Sequence, residues 1–160
     1  MVDRLQRVVN RLQEDPQFVR NVTAWRTLPG QPARTAAWPE ALTPSLAKAG
    51  RQLEIPSLYV HQAAAAEAAL QGDNVVLATG TASGKTLGYI LPVLDRLLRD
   101  PKATALLLFP TKALAHDQLD ELSRWIGALN APIALRPYDG DTPNRHRSAI
   151  SKEARIVVSN

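Results

Sequence analysis

Cysteine is absent from the 160-residue chain. No disulfide, thiolate nucleophile or cysteine-based zinc site is available, thiol redox chemistry is excluded, and the absence suits a reducing, cytoplasmic setting. Histidine is nearly as scarce. His61, His116 and His146 are the only three, none in a metal-ligand spacing such as H-E-x-x-H, so each reads as a surface or packing residue and no metalloenzyme is expected. Long apolar runs are missing too: nothing approaches the roughly 18 consecutive apolar residues that span a bilayer. The N-terminal stretch MVDRLQRVVNRLQED is charged throughout, where an export signal would have an apolar centre. The expectation is a soluble, cytoplasmic protein with no membrane partner. Aromatic residues are only 5% of the chain. Trp25, Trp38 and Trp125 lie in no alternation with basic residues of the kind that stacks bases, so they read as packing residues.

What is present is a globular composition, 45% hydrophobic and 21% charged, with a net charge of +4. That mild basicity suits a polyanion partner without requiring one. Val2, Leu5, Val8, Val9 and Leu12 fall at helical spacing, so residues 2–14 are expected as an amphipathic helix ended by Asp15-Pro16. From about 20 to 56 the prolines and glycines allow only short helices, chiefly 38–49, and residues 1–56 read as a helical, Pro-rich N-terminal extension. From Ser57 apolar strands alternate with longer helices. Helices are expected at 59–71, 84–99, 113–129 and 143–152, and strands at 74–78, 104–109, 133–138 and 155–159. This order means βαβ units and an α/β fold with a parallel sheet and flanking helices. The runs ALLLF (105–109) and RIVVS (155–159) read as strands buried on both faces.

The sharpest signal is the run from Asn74 to Thr86, an apolar strand followed by Thr79, Gly80, Thr81, Ala82, Ser83, Gly84, Lys85 and Thr86 and then a helix. Backbone N–H groups of a tight turn and the positive end of the next helix converge on an anion, and small side chains let the backbone approach it. Lys85 is placed for the β- and γ-phosphates of a nucleotide, and the Thr86 hydroxyl for a Mg²⁺ ion shared with them. A strict G-x-x-x-x-G-K-[ST] would have glycine at 79, where this chain has Thr79 followed by Gly80.

Three further segments make the chain resemble the superfamily 2 DEAD/DEAH-box type helicases. Leu58-Tyr-Val-His-Gln62 looks like their Q motif, which implies Gln62 as the adenine contact. Phe109-Pro-Thr-Lys-Ala-Leu-Ala-His-Asp-Gln118 looks like motif Ia, where Pro110, Thr111 and Lys112 at a helix start form a natural clamp for a nucleic-acid backbone. With TGTASGKT, YDGDTP at 138–143 and the closing ARIVVSN, the pattern is most similar to the MrfA-type bacterial mitomycin-repair helicases and their fungal RecQ-four-like relatives. In that group Thr79 and Ala82 are usual. The resemblance covers residues 57–160 and implies the first part of a RecA-like ATP-binding P-loop domain. It also implies ATP and Mg²⁺ as ligands, Lys85 and Thr86 in catalytic roles, and single-stranded or partly duplex DNA as partner, with RNA also open. The activity implied is 3′-to-5′ DNA unwinding in repair.

Other residues are more ambiguous. Tyr59 reads equally as an adenine stack or a core ring. Asp139 and Asp141 in YDGDTP read as turn chemistry, with Asp141 or Thr142 capping a helix from Pro143, rather than as a catalytic pair. Arg145, His146, Arg147, Lys152 and Arg155 either border the nucleic-acid path, with Arg145 the leading contact, or form a solvated helix face. Hydrolysis in this class needs a carboxylate pair on a strand beyond those read here. No apolar run after Ser83 ends in Asp-Glu. The reading is therefore a truncated domain, inactive as an isolated fragment, with an uncovered sheet edge prone to self-association. The alternatives are a non-catalytic nucleotide and single-strand binding module, or a P-loop kinase of another class. A GTPase would need an Asn/Thr-Lys-x-Asp signature, which the chain lacks.

Overall fold

The computed structural model of the chain describes residues 4–30, 32–80 and 83–160. It divides into two compact units, Met1–Pro32 and Ala33–Asn160. In the first, α1 (Arg4–Glu14) is the expected amphipathic helix, and Val2 lies outside the described residues. Asp15-Pro16 does end α1, but it also opens a second helix, α2 (Pro16–Val19). The Asp15 carboxylate accepts from the N–H groups of Gln17 and Phe18, and Pro16 takes the first helical position, where its missing N–H costs nothing. Trp25, expected to pack, is 46% exposed and borders a small cavity with Val19 and Val22.

The second unit begins with β1 (Thr35–Ala36), α3 (Pro44–Gln52), β2 (Leu58–Tyr59) and α4 (Val60–Leu70). It continues with α5 (Thr86–Arg99), β3 (Ala105–Leu108), α6 (Lys112–Leu129), β4 (Leu135–Pro137), α7 (Asn144–Glu153) and β5 (Ile156–Ser159). Strands β3, β5 and β4 form a parallel sheet in that order, with Leu106 opposite Val157 and Arg136 opposite Val157. A separate antiparallel pair joins β1 to β2, with Thr35 opposite Tyr59. Residues 33–56, read from sequence as part of an extension, therefore pack in the same unit as the phosphate loop. The expected division at 56 falls inside it.

One core joins α3, α4, α5 and α6 to the inner face of the sheet. Leu46, Leu58, Ile90, Leu91, Leu94, Leu122, Trp125 and Ile156 are fully buried in it, and Trp38 packs beside Trp125 with ring centroids 6.3 Å apart. Trp38 and Trp125 are thus the packing residues expected of them. Each buried leucine or isoleucine contributes about 1.5–3 kcal/mol, so this cluster holds the helices to the sheet. No helix among the described residues is long and apolar enough to cross a membrane.

Two strand expectations need correction. Residues 74–78 form no strand: Val76 is 90% exposed and the segment has no ladder partner among the described residues. An apolar run becomes a strand only when its N–H and C=O groups meet a neighbour. The segment is anchored instead by Leu77, which lies so close to Gly88 of α5 that a Cβ there would come within 2.5 Å of it. The second correction concerns 105–109. Its inner residues Ala105 and Leu107 join the core, but Leu106 and Leu108 are 62% and 67% exposed. The core helices cover one face of β3, while α7 borders the other over Val157 and leaves those leucines open.

Helix α3 ends at Gln52 with Leu53 as its C-cap, and Glu54 follows in the left-handed region at φ 63°, where its N–H and that of Ile55 close the helix onto Arg51 and Gly50 carbonyls. Glycine favours this position because a Cβ is crowded there. Glu54→Gly is expected to stabilise the chain by about 0.5–1 kcal/mol, read as a higher urea midpoint; an unchanged or lower midpoint would contradict the strain.

Candidate functional site

The loop residues converge on the start of α5. Gly84 sits at φ +73°, and a Cβ there would come within 2.9 Å of Gln62 Nε2 and 3.3 Å of the Tyr59 ring, so only glycine fits without displacing them. Lys85 Nζ donates to the carbonyls of Thr79 (3.0 Å) and Gly80 (2.5 Å) and to Ser83 Oγ (3.3 Å), while Thr79 and Ser83 share a hydroxyl hydrogen bond of 2.6 Å. The ammonium is thereby held inside the loop, beside the helix N-terminus. No side chain caps α5, so its first turn has the open positive end that an anion takes. Thr86 is the first residue of α5, on its leading edge. Thr81 and Ala82 lie outside the described residues.

Gln62 is 3% exposed. Its Oε1 accepts from the Tyr59 N–H at 2.8 Å, the side-chain half of a capping box at the start of α4, and its Nε2 donates to the Gly84 carbonyl at 2.6 Å. One amide thus ties the Q-motif turn to the phosphate loop, with one donor hydrogen and one acceptor lone pair left for a further partner. Beside it opens a cavity of about 360 Å³, lined by Ala33, Thr35, Glu54, Pro56, Tyr59 and Gln62 among others. Tyr59 is 41% exposed and stacks on His61 at 5.7 Å, so its ring is at the cavity rim rather than in the core. Sequence reasoning missed that Ala33 and Thr35 wall this cavity. The signal was weak: one apolar-polar pair, brought there by β1–β2 pairing and by the Val60 N–H donating to the Arg34 carbonyl.

On the far side of α5 the Thr111 hydroxyl caps α6, accepting from the Leu114 N–H at 3.2 Å. Lys112, one residue on, forms an ion pair with Asp141 at 2.5 Å, which holds its ammonium firmly protonated. Pro110, Thr111 and Lys112 are all exposed. Asp139 and Asp141 form the turn expected of them: Asp139 Oδ1 accepts from the Asp141 N–H, and that bond first among several holds its carboxyl below the usual range. The expected capping of α7 by Asp141 or Thr142 is not found. Pro143 precedes the helix with no side-chain cap, and the Thr142 hydroxyl bonds the Asp139 N–H instead.

The basic cluster separates into different roles. Arg145 is exposed and donates to His146. Arg147 donates to the carbonyls of Thr142 and Asp139 and lies over the Tyr138 ring at 5.2 Å, so it braces the turn. Arg155 is spent inside the fold, donating to the carbonyls of Ala103, Leu97 and Asp100. It clasps the connection from α5 to β3 and is not available to border a nucleic acid.

Comparison with known proteins fits this geometry. The chain is 40% identical over 140 residues to the ATP-dependent helicase YprA of Bacillus subtilis, covering 88% of this chain and 19% of that protein. It is 33% identical to the ATP-dependent helicase HRQ1 of Saccharomyces cerevisiae, covering 100% of this chain and 15% of that protein. The crystal structure of the DUF1998 helicase MrfA bound to DNA and AMPPNP superposes with a TM-score of 0.83 at 37% identity, over 97% of this chain and 21% of that one. The DEAD-box helicase Mss116 bound to ssRNA and UDP-BeF shares the RecA-like fold at a TM-score of 0.67 and 22% identity, over 75% of this chain and 26% of that one. The chain thus spans about a fifth or less of the length of YprA and HRQ1. The DEAD/DEAH box helicase family model matches residues 59–160, the stretch that holds Gln62, the candidate phosphate loop and the start of α6, and the chain belongs to that family.

Proposed function

We propose that these residues are the ATP- and nucleic-acid-binding part of an ATP-dependent DNA helicase that moves 3′ to 5′ and serves DNA repair. The observation that carries the reading is the Gln62 amide, which joins the turn at Tyr59, beside the cavity, to the Gly84 carbonyl and so would set base and phosphate positions in one frame. The residues present fit Mg²⁺-ATP: an uncapped helix start, a glycine that admits no Cβ, and a lysine already held in the loop. Thr79, Gly80, Thr81, Ala82, Ser83 and Gly84 would cradle the phosphates. Lys85 would contact the β- and γ-phosphates, Thr86 would ligate the Mg²⁺, and Gln62 would read the adenine edge with its remaining donor and acceptor. Bound Mg²⁺ supplies charge neutralisation on the phosphates. Because no apolar strand run after Ser83 ends in Asp-Glu, Asp120-Glu121 lying within α6, these 160 residues are proposed to bind the nucleotide without turning it over.

The DNA in the MrfA complex supports DNA as the partner, and the start of α6 is the surface proposed to meet it. Pro110, Thr111 and Lys112 present a helix N-terminus and an ammonium to a phosphate, with Arg145 nearby in the chain's basic stretch. The Lys112–Asp141 pair is exposed on both sides, and such solvent-screened surface pairs are weak. A phosphate can therefore replace Asp141. Anisotropy titration of single-stranded DNA across salt is expected to give a steep log–log slope, shallower by about 0.7 in Lys112→Ala. Equal slopes would remove Lys112 from the contact. The open edge of β3, with Leu106 and Leu108 exposed beside it, is also a surface on which copies would associate.

A further inference from the structure

Tyr89 lies three residues after Thr86, one turn further along the same face of α5. Its hydroxyl donates to Gln118 Oε1 on α6 at 2.5 Å, and its ring packs against Phe109, the residue before the Pro110–Lys112 clamp, with centroids 6.3 Å apart. One side chain therefore touches both the helix that begins at the nucleotide loop and the helix that begins at the polyanion clamp.

We propose that the Tyr89 hydroxyl is a positioning group that couples nucleotide at Thr86 to nucleic acid at the start of α6, through Gln118. The inference rests on the nucleotide and nucleic-acid reading above. The direction of the hydrogen bonds supplies the means. Tyr89 has one proton, and the Gln118 carbonyl oxygen takes it, so the phenol oxygen accepts from the other side. Thr86, three residues earlier on the same face of α5, is the side chain positioned to be that donor. When the Thr86 oxygen gives a lone pair to a cation, its O–H becomes the stronger donor, and each bond in the chain Thr86–Tyr89–Gln118 polarises the next. Gln118 is six residues beyond Lys112 on a rigid 18-residue helix, so a firmer hold on it fixes the orientation of the helix start that faces phosphate.

Burial raises the Tyr89 phenol above its ordinary pKa, while a hydrogen bond from Thr86 pulls it back and Glu121 raises it again. The phenol is protonated, and so a donor, at neutral pH.

The test is thermodynamic linkage in the 160-residue chain. The affinity for a fluorescein-labelled oligothymidine is measured by anisotropy with and without saturating Mg²⁺-AMPPNP, and AMPPNP affinity is measured with and without the oligonucleotide. The two ratios must agree. The parent chain is expected to show a linkage of about fivefold or more. Tyr89→Phe, which keeps the ring on Phe109 and removes only the hydroxyl, is expected to bring it close to one while still binding each ligand alone. Gln118→Leu is expected to do the same, and the double variant to add nothing further. Linkage retained in Tyr89→Phe, or absent in a parent that binds both ligands, would overturn the coupling and leave the two sites standing. Nucleotide binding unchanged by Lys85→Ala, or no binding of either ligand, would overturn the reading beneath it and the coupling with it.

Discussion

Lys85→Ala is expected to lower Mg²⁺-ATP affinity by at least tenfold and on the order of 100-fold, because a charge-assisted hydrogen bond to phosphate contributes about 1.5–3 kcal/mol. Two losses combine. The ammonium no longer meets the phosphates, and the loop loses the contacts that draw the Thr79 and Gly80 carbonyls toward it. Those carbonyls then point their negative ends into the site with nothing to offset them. The fold should survive, since Lys85 reaches only loop atoms and takes no part in the buried cluster. Calorimetry of parent and variant, with circular dichroism as the check on folding, measures the effect. An affinity within about twofold of the parent would place the phosphates elsewhere.

Asp95→Ala is expected to destabilise the chain by about 2–3 kcal/mol, lowering the melting temperature by on the order of 10 °C. Asp95 is only 1% exposed, on the core face of α5. Its carboxylate accepts from the Thr43 N–H and hydroxyl, both at 2.7 Å, and from Arg99 Nε at 2.6 Å. Thr43 is the residue that opens α3, so Asp95 caps a neighbouring helix from across the core and ties the cavity-bearing segment to the nucleotide helix. Burial alone would raise the Asp95 pKa, but the Arg99 guanidinium and the two Thr43 hydrogen bonds outweigh it and hold the carboxyl below its ordinary value. A depressed folded pKa contributes stability that is complete above the unfolded value and lost as pH falls through the folded one. The gap between parent and Asp95→Ala should therefore be full at neutral pH and shrink in acid below about pH 4. A gap independent of pH would assign the loss to packing alone.

Helices α4 to α7 and strands β3 to β5 were legible because each has a strong local period or a short apolar run bounded by turn residues, and the parallel order follows from the connections. The segment 74–78 read as a strand from its apolar run, yet pairing is a property of a neighbour and not of the run itself. The candidate phosphate residues could be read directly, since a glycine, a lysine and a threonine at the start of a helix declare their use in one dimension. The wall of the cavity could not. Ala33 and Thr35 belong to a proline-rich stretch with no period, and only β1–β2 pairing brings them beside Tyr59 and Gln62.

Charge on the sequence was the least informative signal. Arg155 and Arg145 read alike in the basic stretch, yet one is spent on three backbone carbonyls and the other is exposed. Asp95, inside LDRLL, carries no local signal in the sequence that it is buried. Tyr89 and Gln118 were likewise unremarked, because their meeting depends on the packing of α5 near α6.

The claim at the centre of this account is that base and phosphates bind in one frame set by Gln62 and the loop. Calorimetric titration of the chain with Mg²⁺-ATP and Mg²⁺-GTP, repeated with Gln62→Ala, tests it most directly. The account predicts saturable ATP binding no tighter than micromolar, a preference for ATP over GTP in the parent, and loss of that preference in Gln62→Ala. An ATP/GTP ratio unchanged by the substitution, or no preference in the parent, would contradict it.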